Sequence, residues 1–475
     1  MEPAKFFVAG EFRSSESKRP VSNPFDNTLV GQVCQASRTD IEDALLAATE
    51  VFQQTRLLTA YDRSIVLSSI AKGIESEKEK FAATITAETG KPISFSRTEV
   101  DRSIFTFTVA AEEAKRLEGS MLPLDIAAQS GDRVALVRRF PLGPVAGITP
   151  FNFPLNLVAH KLGPAIAAGN TMVLKPSSKA PLVALLLAAV VQKTRLPKGA
   201  FNVVPCLAGE AEQMIIDERI KLISFTGSPA VGWDIKARAG KKRVLLELGG
   251  NAGVIVDKDA DIEYALKRIA QGAYGNAGQS CISVQRIFVH HTIFEQFSEQ
   301  LVKLTKAIAT GDPLNERTVV GPMIDEEAAQ KVHSWIREAE AGGAQVLCGG
   351  KRSGAVLHPT VLTGVAPDMK VSCQEVFAPV VTLTRFVDFG EAVALVNNSA
   401  YGLQAAVFTN NLAHVFYAYR ELEVGGVIIN DSSTYRMDHM PYGGVKDSGF
   451  GREGVRYAIE EMMEMKLLGL NFPSA

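Results

Sequence analysis

Residues 143–178 read GPVAGITPFNFPLNLVAHKLGPAIAAGNTMVLKPSS, and the changes of pattern inside them decide the fold. An apolar run at 145–148 has the length of a buried strand. A loop bracketed by Pro150 and Pro154 follows, and 155–168, closed by Gly169, is long enough for a crossover helix before a second apolar strand at 172–174. Strand, helix and strand in succession make a βαβ unit, whose right-handed crossover lays the two strands parallel. The alternation continues through strand-like 201–204, 222–225 and 244–246, with 182–193 as another crossover helix. These segments predict a parallel sheet with helices on both faces and a nucleotide site at the carboxyl ends of its strands.

Downstream, strand-like 253–256, 285–290, 380–387 and 427–430 and helical 325–341 predict a second α/β lobe. The stretch 122–143, LPLDIAAQSGDRVALVRRFPLG, reads as a hairpin belonging to neither core, and with strand-like 464–470 it offers an edge for subunit contact. A chain of 475 residues is too long for one core. Hydrophobic residues at 46% and charged residues at 21% exclude disorder and fibrous repeats. A formal net charge of -2 gives no broad electrostatic reason to bind nucleic acid or an acidic membrane, so a small molecule is the expected partner. The first residues lack a signal-like apolar core and the longest apolar run, at 181–191, is too short to span a bilayer, so a cytoplasmic location is expected. Cys34, Cys206, Cys281, Cys348 and Cys373 are scattered without a CxxC pair, and the histidines form no HExxH, so no metal is expected.

Chemistry concentrates in a few segments. GNAGQSCISVQRI, 275–287, places Cys281 between a glycine-rich turn and a strand, where a thiol can face a cleft; a small buried hydrophobe is the alternative. LLELGGNAG, 245–253, ends an apolar strand at Glu247, either a carboxylate facing a cleft or a capping or ion-paired one. Asn152 lies in the Pro-bracketed loop, as a rigidly held amide or a helix N-cap, and Lys175 ends a strand at the expected nucleotide edge, where a surface lysine is the alternative. FTGSPAVG, 225–232, ends another strand and opens a helix at Ser228, leaving backbone N–H groups suited to a phosphate. GFGREG, 449–454, satisfies GxGxxG but follows no apolar strand and opens no βαβ unit, so it reads as loop glycine.

In order and over essentially the whole chain, PFNFP, KPS, FTGS, ELGG, GQSC, EVFAP and PYGGVKDSG resemble the aldehyde dehydrogenase superfamily. The resemblance implies a Rossmann-like dinucleotide-binding domain over 1–120 and 143–250 and an α/β catalytic domain over 251–425. It further implies a small β oligomerisation arm over 121–142 and 455–475, with 426–454 as loops returning to the site. It also implies NAD(P)-dependent oxidation of an aldehyde to a carboxylic acid. Cys281 would be the nucleophile, forming a thiohemiacetal and then a thioester, with Asn152 as oxyanion donor and Glu247 as general base for hydrolysis. Relatives that pass the acyl group to coenzyme A lack that glutamate.

By the same resemblance the dinucleotide is held by Thr149, Pro150, Phe151, Lys175, Ser177, Ser178, Gly209, Phe225, Thr226, Gly227, Ser228, Leu248 and Gly249, with Glu375 and Phe377 at the nicotinamide end. NAD-preferring relatives carry an acidic residue three positions after the lysine; here Ser178 and then Lys179 stand, which favours NADP over NAD. The substrate positions are Arg102, Phe153, His160, Ser280, Arg436 and Tyr442, with solvated ion pairing the alternative for Arg102 on a helix surface and Arg436 in a loop, and helix packing the alternative for His160. Two arginines and a histidine suggest a small anionic or hydroxylated aldehyde of the lactaldehyde, semialdehyde, phosphonoacetaldehyde or glyceraldehyde-3-phosphate type, because a guanidinium binds such anions bidentately. Ser280 departs from phosphonate- and phosphate-handling relatives, which carry another arginine before the nucleophile. A dehydrogenase of apolar or aromatic aldehydes and a cofactor-independent thiol esterase are the competing readings; a homodimer or homotetramer is expected.

Overall fold

In the computed structural model, which describes residues 2–131 and 133–471, the strand Pro144–Ile148 lies inside an eight-stranded sheet. Thr171–Lys175 and then Phe201–Val203 follow on one side of it, and Leu222–Thr226 and then Arg243–Glu247 on the other, all parallel. The chain thus builds outward from Pro144–Ile148 first one way and then the other, leaving a switch point beside Leu222–Thr226 where open α/β sheets bind ligands. Phe6–Val8 and Glu11–Arg13 close one edge and Gly449–Phe450 the other, each antiparallel. The predicted strands are all present, extended by polar end residues such as Lys175 and Glu247 that the apolar pattern did not include.

The crossover helix Asn156–Ala168 is buried at every one of its 13 residues, as expected of a helix apolar on all sides. Its N-terminus has no side-chain cap from its own flank; instead Glu99 Oε1 accepts from the N–H groups of Leu155 and Asn156 at 2.9 and 3.2 Å. Glu88 does the same for the helix Leu182–Gln192, accepting from Leu182 and Val183 at 2.8 and 3.1 Å. Carboxylates from neighbouring helices therefore satisfy both crossover helices, and Asn152 is not used as a cap.

The second lobe is a seven-stranded sheet in the order Gln345–Cys348, Thr360–Thr363, Val380–Phe386, Val284–His290, Ala252–Val256, Gln404–Phe408 and Gly426–Ile429, parallel except at its first strand. A three-stranded antiparallel ribbon stands apart, with Arg133–Pro141 between Ser120–Pro123 and Met463–Asn471. Asp132 of the predicted hairpin and residues 472–475 of the predicted arm lie outside the described residues. The segment Val455–Glu461, grouped with the arm by sequence, is a helix instead. Its Val455 and Ile459 enter the core of the first lobe, because its apolar positions share one face. Among the described residues no helix is long and apolar enough to cross a membrane.

Candidate active site

The carboxyl ends of Pro144–Ile148, Leu222–Thr226 and Arg243–Glu247 meet the turn that precedes Val284–His290 of the second lobe, and a cavity of about 620 Å³ opens where they converge. Cys281, Glu247 and Asn152, drawn from three distant segments, all line it. Cys281 is half-buried, follows the helix Ile262–Tyr274 and a tight turn, and places its Sγ 3.0 Å from the Tyr442 hydroxyl. In that turn Asn276, Ala277 and Gly278 all hold left-handed backbone, at φ 53°, 54° and 68°. Two consecutive non-glycine residues there store strain of a kind that concentrates at functional sites. Gly278 is required by contact as well: a Cβ on it would lie 2.2 Å from the Ala378 carbonyl oxygen.

Asn152 donates one amide N–H to the Gln279 carbonyl at 3.1 Å, which leaves its second N–H available, while its Oδ1 is buried with no partner among the described residues. Glu247 Oε2 is likewise buried and unpartnered among the described residues. Burial, reinforced by the negative charge of Glu453, holds the Glu247 carboxyl well above the ordinary range. Burial also pushes the Cys281 thiol up to about 12, although the Tyr442 hydroxyl offsets part of the effect. After Glu247 the chain must pass close to Cys281, and a Cβ at Gly250 would sit 2.4 Å from the Cys281 carbonyl oxygen.

Pro150, Phe151, Thr226, Gly227, Ser228, Leu248, Gly249, Glu375 and Phe377 also line the cavity, whereas Thr149, Lys175, Ser177, Ser178, Gly209 and Phe225 do not. Thr149 donates its N–H to the Lys175 carbonyl and Phe225 packs in the core of the first lobe, so both shape the strand ends from behind. Ser177 and Ser178 follow the Lys175 strand end, half-buried, while Gly209 is exposed in the first turn of the helix Ala208–Ile216. Phe151 and Phe377 meet edge to face at 6.1 Å. Glu375 accepts the Gly250 N–H at 3.0 Å, and burial raises its carboxyl to about 7. Thr226 Oγ1 has no partner among the described residues, and the helix Pro229–Arg238 starts at Ser228 without a side-chain cap.

At the other end of the cavity Arg102, Phe153, Ser280, Arg436 and Tyr442 are brought together, but His160 is packed behind the lining. His160 Nε2 lies 2.8 Å from Asp438 Oδ1, and burial together with the Arg436 charge keeps the imidazole below its usual pKa. Asp438 also accepts from both Nε and Nη2 of Arg102, at 3.1 and 2.6 Å, and from Asn156 Nδ2 at 3.2 Å. Arg436 stacks over the Tyr442 ring at 3.7 Å, with Glu453 Oε2 3.5 Å away, and its Nε has no partner among the described residues. Glu453 pairs with Lys161 at 3.0 Å, and both are almost wholly buried. Phe153 lies between Lys91, 4.0 Å from its ring centre, and Arg102. Among the described residues no cluster of histidine, cysteine and carboxylate side chains could hold a metal ion.

A profile of the aldehyde dehydrogenase family matches residues 12–468. The chain belongs to the aldehyde dehydrogenase family. It is 45% identical to a 3-sulfolactaldehyde dehydrogenase of Priestia aryabhattai, over 98% of this chain and 97% of that protein. Aldehyde dehydrogenase 21 of Physcomitrella patens, solved with the reaction product succinate, superposes with a TM-score of 0.97 at 44% identity, covering 99% of each chain. A glyceraldehyde-3-phosphate dehydrogenase of Methanocaldococcus jannaschii, solved with NADP, does so with a TM-score of 0.92 at 40% identity, over 96% of this chain and 100% of that one.

For this aldehyde dehydrogenase the sequence pattern pointed to segments that line the cavity and missed the charges behind them. Asp438, Glu453, Lys161 and Lys91 were not singled out, and Glu453 lies inside the GFGREG stretch read only as loop glycine. Each is a charged residue almost fully buried, a placement that demands a partner. That signal exists only once the fold is known.

Proposed function

We propose that this chain oxidises a small aldehyde with an anionic or hydroxylated tail to the carboxylic acid, with NADP favoured over NAD as coenzyme. One observation carries the reading: a single cavity is lined by a thiol, a carboxyl with an unpartnered oxygen and an arginine with an unpartnered donor. The residues fit a dinucleotide. Thr226 Oγ1 and the uncapped start of Pro229–Arg238 suit a pyrophosphate, and the Phe151 and Phe377 rings with Glu375 suit the nicotinamide end. A bound nicotinamide dinucleotide supplies the hydride acceptor that turns the first covalent adduct on Cys281 into a thioester.

The chain's own residues do the rest. Cys281 Sγ attacks the aldehyde carbon, and the free Asn152 N–H with the Cys281 backbone N–H donates to the oxygen that becomes an oxyanion. Such donors act most strongly in a buried site. Glu247, with its raised proton affinity, takes a proton from the water that hydrolyses the thioester. The Arg436 guanidinium, which lines the cavity, recognises an anionic or hydroxylated tail, and an apolar aldehyde would leave that charge uncompensated. A relative that acts on 3-sulfolactaldehyde and one that released succinate agree with this choice.

Toward the coenzyme, the strand-end lysine Lys175 feels the charge of Arg19, and Ser178 leaves a 2′-phosphate unopposed. The dinucleotide-binding domain is assigned to 1–120 and 143–250 with the helix Val455–Glu461, the catalytic domain to 251–425 and the arm to 121–142 with the strand Met463–Asn471. The ribbon exposes Met121, Leu136, Met465 and Leu467, which a second copy would cover in a cytoplasmic homodimer or homotetramer. Initial rates of coenzyme reduction with NADP and NAD, across anionic, hydroxylated and apolar aldehydes, test the reading. Preferential turnover of the first two classes is expected, and preference for long apolar aldehydes would overturn the substrate assignment.

A further inference from the structure

The tail end of the cavity carries a charge balance that limits what can bind there, and Asp438 sets it. Around it stand Lys91, Glu99 and Arg102 from one helical region, His160 and Lys161 from the helix Asn156–Ala168, and Arg436 and Glu453 from the returning loops. Lys91 is paired with Glu99, and Lys161 with Glu453, so those charges cancel within the protein. His160 gives its Nε2 to Asp438. Arg102 is matched by Asp438, while Arg436 has within reach only Glu453, 3.5 Å away and already paired with Lys161, so one positive charge is unmatched.

The two arginines are not equivalent. Both Nε and Nη2 of Arg102 are turned onto Asp438, in the geometry by which a guanidinium binds a carboxylate ligand. Asp438, 3% exposed at its side chain, therefore occupies the fork that a second anionic group of a substrate would use. Arg436, 8% exposed at its side chain, keeps an unpartnered Nε among the described residues. We propose that Asp438 is a positioning residue that reserves Arg102 and makes the pocket selective for aldehydes with a singly charged tail, a carboxylate or sulfonate, over doubly charged phosphonates and phosphates. This rests on the proposed oxidation of an anionic aldehyde and narrows it. A dianion would bring one charge more than the pocket can match, and an uncharged tail would leave the arginine uncompensated.

Sulfoacetaldehyde and phosphonoacetaldehyde test this directly, because their tetrahedral tails have nearly the same shape and differ in charge. At pH 8 the wild-type enzyme is expected to have a KM for the sulfonate lower than that for the phosphonate by about tenfold or more. Asp438→Asn, which frees Arg102 and adds one positive charge, should lower the phosphonate KM and shrink that ratio about tenfold. Asp438→Glu, which keeps the charge, should retain the sulfonate preference. A folded Asp438→Asn enzyme with the wild-type ratio would overturn the proposal.

Should that variant not fold, the wild-type enzyme decides. Its phosphonate KM should rise as the tail loses its second proton, roughly between pH 6 and 7, while the sulfonate KM stays level. Phosphonate and sulfonate values that move together across that range overturn the role of Asp438. Oxidation of uncharged aldehydes alone is a different failure, since it removes the substrate reading on which this one stands.

Discussion

At the reaction end of the cavity Asn152 Oδ1 and Glu247 Oε2 are buried without partners among the described residues, whereas at the tail end Asp438 accepts from Arg102, His160 and Asn156. An unsatisfied buried polar group costs roughly 1–3 kcal/mol, so Asn152 and Glu247 are held at a loss of stability that Asp438 avoids. The difference follows from what each end must do. In the proposed mechanism the second Asn152 N–H, not its oxygen, donates to a forming oxyanion and Glu247 takes a proton from water, so both have to be free when the charge appears. Groups that only define the shape and charge of a pocket work best when locked.

The contrast breaks first at Cys281. Cys281→Ala should lower turnover by on the order of 10^4-fold or more, measured as coenzyme reduction, while coenzyme binding is retained. Retained turnover would move the nucleophile elsewhere. Because burial raises the thiol to about 12, the thiolate is the minor form throughout the neutral range, and its fraction grows with pH. Alkylation of Cys281 by iodoacetamide in the free enzyme should therefore climb from pH 7 to 9.5 without levelling, about tenfold per pH unit. A plateau near neutrality would show a thiol activated before substrate arrives.

Glu247→Gln comes next. It preserves the shape of the carboxyl and removes the base, so steady-state turnover should fall about 10^3-fold while a burst of reduced coenzyme reports acylation still proceeding. Unchanged steady-state turnover would assign the base elsewhere. The pH dependence follows in sign. A carboxyl whose pKa is raised by burial and by Glu453 is protonated below that pKa and cannot act as base, so deacylation should increase with pH through it. Glu247→Gln should lose that ascending limb. Asn152→Ala should cost less, about 100-fold in kcat or ~3 kcal/mol, the usual effect of one oxyanion donor. Equal turnover in that variant would leave the amide a purely structural partner of Gln279.

What the sequence revealed follows the same division. Asn152, Glu247 and Cys281 sit at strand ends and turns whose apolar and glycine patterns are local, so short segments indicated their placement around one cavity. The parallel sheet was legible for the same reason, since periodicity within some thirty residues defines a βαβ unit. The tail end is assembled from long range. Arg102 and Asp438 are 336 residues apart, and Lys161 and Glu453 are 292 apart. Without the fold Asp438 is an acidic residue in a loop and Glu453 a letter between glycines. For His160 the sequence left a pocket position and helix packing both open, and the helix turns its ring onto Asp438 behind the wall.

The smallest expected effect lies at the coenzyme's adenosine end, where charge alone is at issue. Two cations could serve a 2′-phosphate beyond Lys175, and they are not alike. Lys179 is tied to Asp325 at 2.9 Å, whereas Arg19 is near enough to depress the Lys175 pKa together with the larger effect of burial. At half-buried Ser178, next to Lys179 in the chain, no carboxylate opposes the phosphate. Ser178→Asp places one there, and should raise the KM for NADP by about tenfold while leaving that for NAD within about threefold. The NADP penalty should shrink at high salt if Coulomb repulsion causes it, because exposed charges are screened within about 10 Å at 0.1 M. Equal losses for both coenzymes, insensitive to salt, would instead mark Ser178 as a packing position and remove the electrostatic basis for preferring NADP.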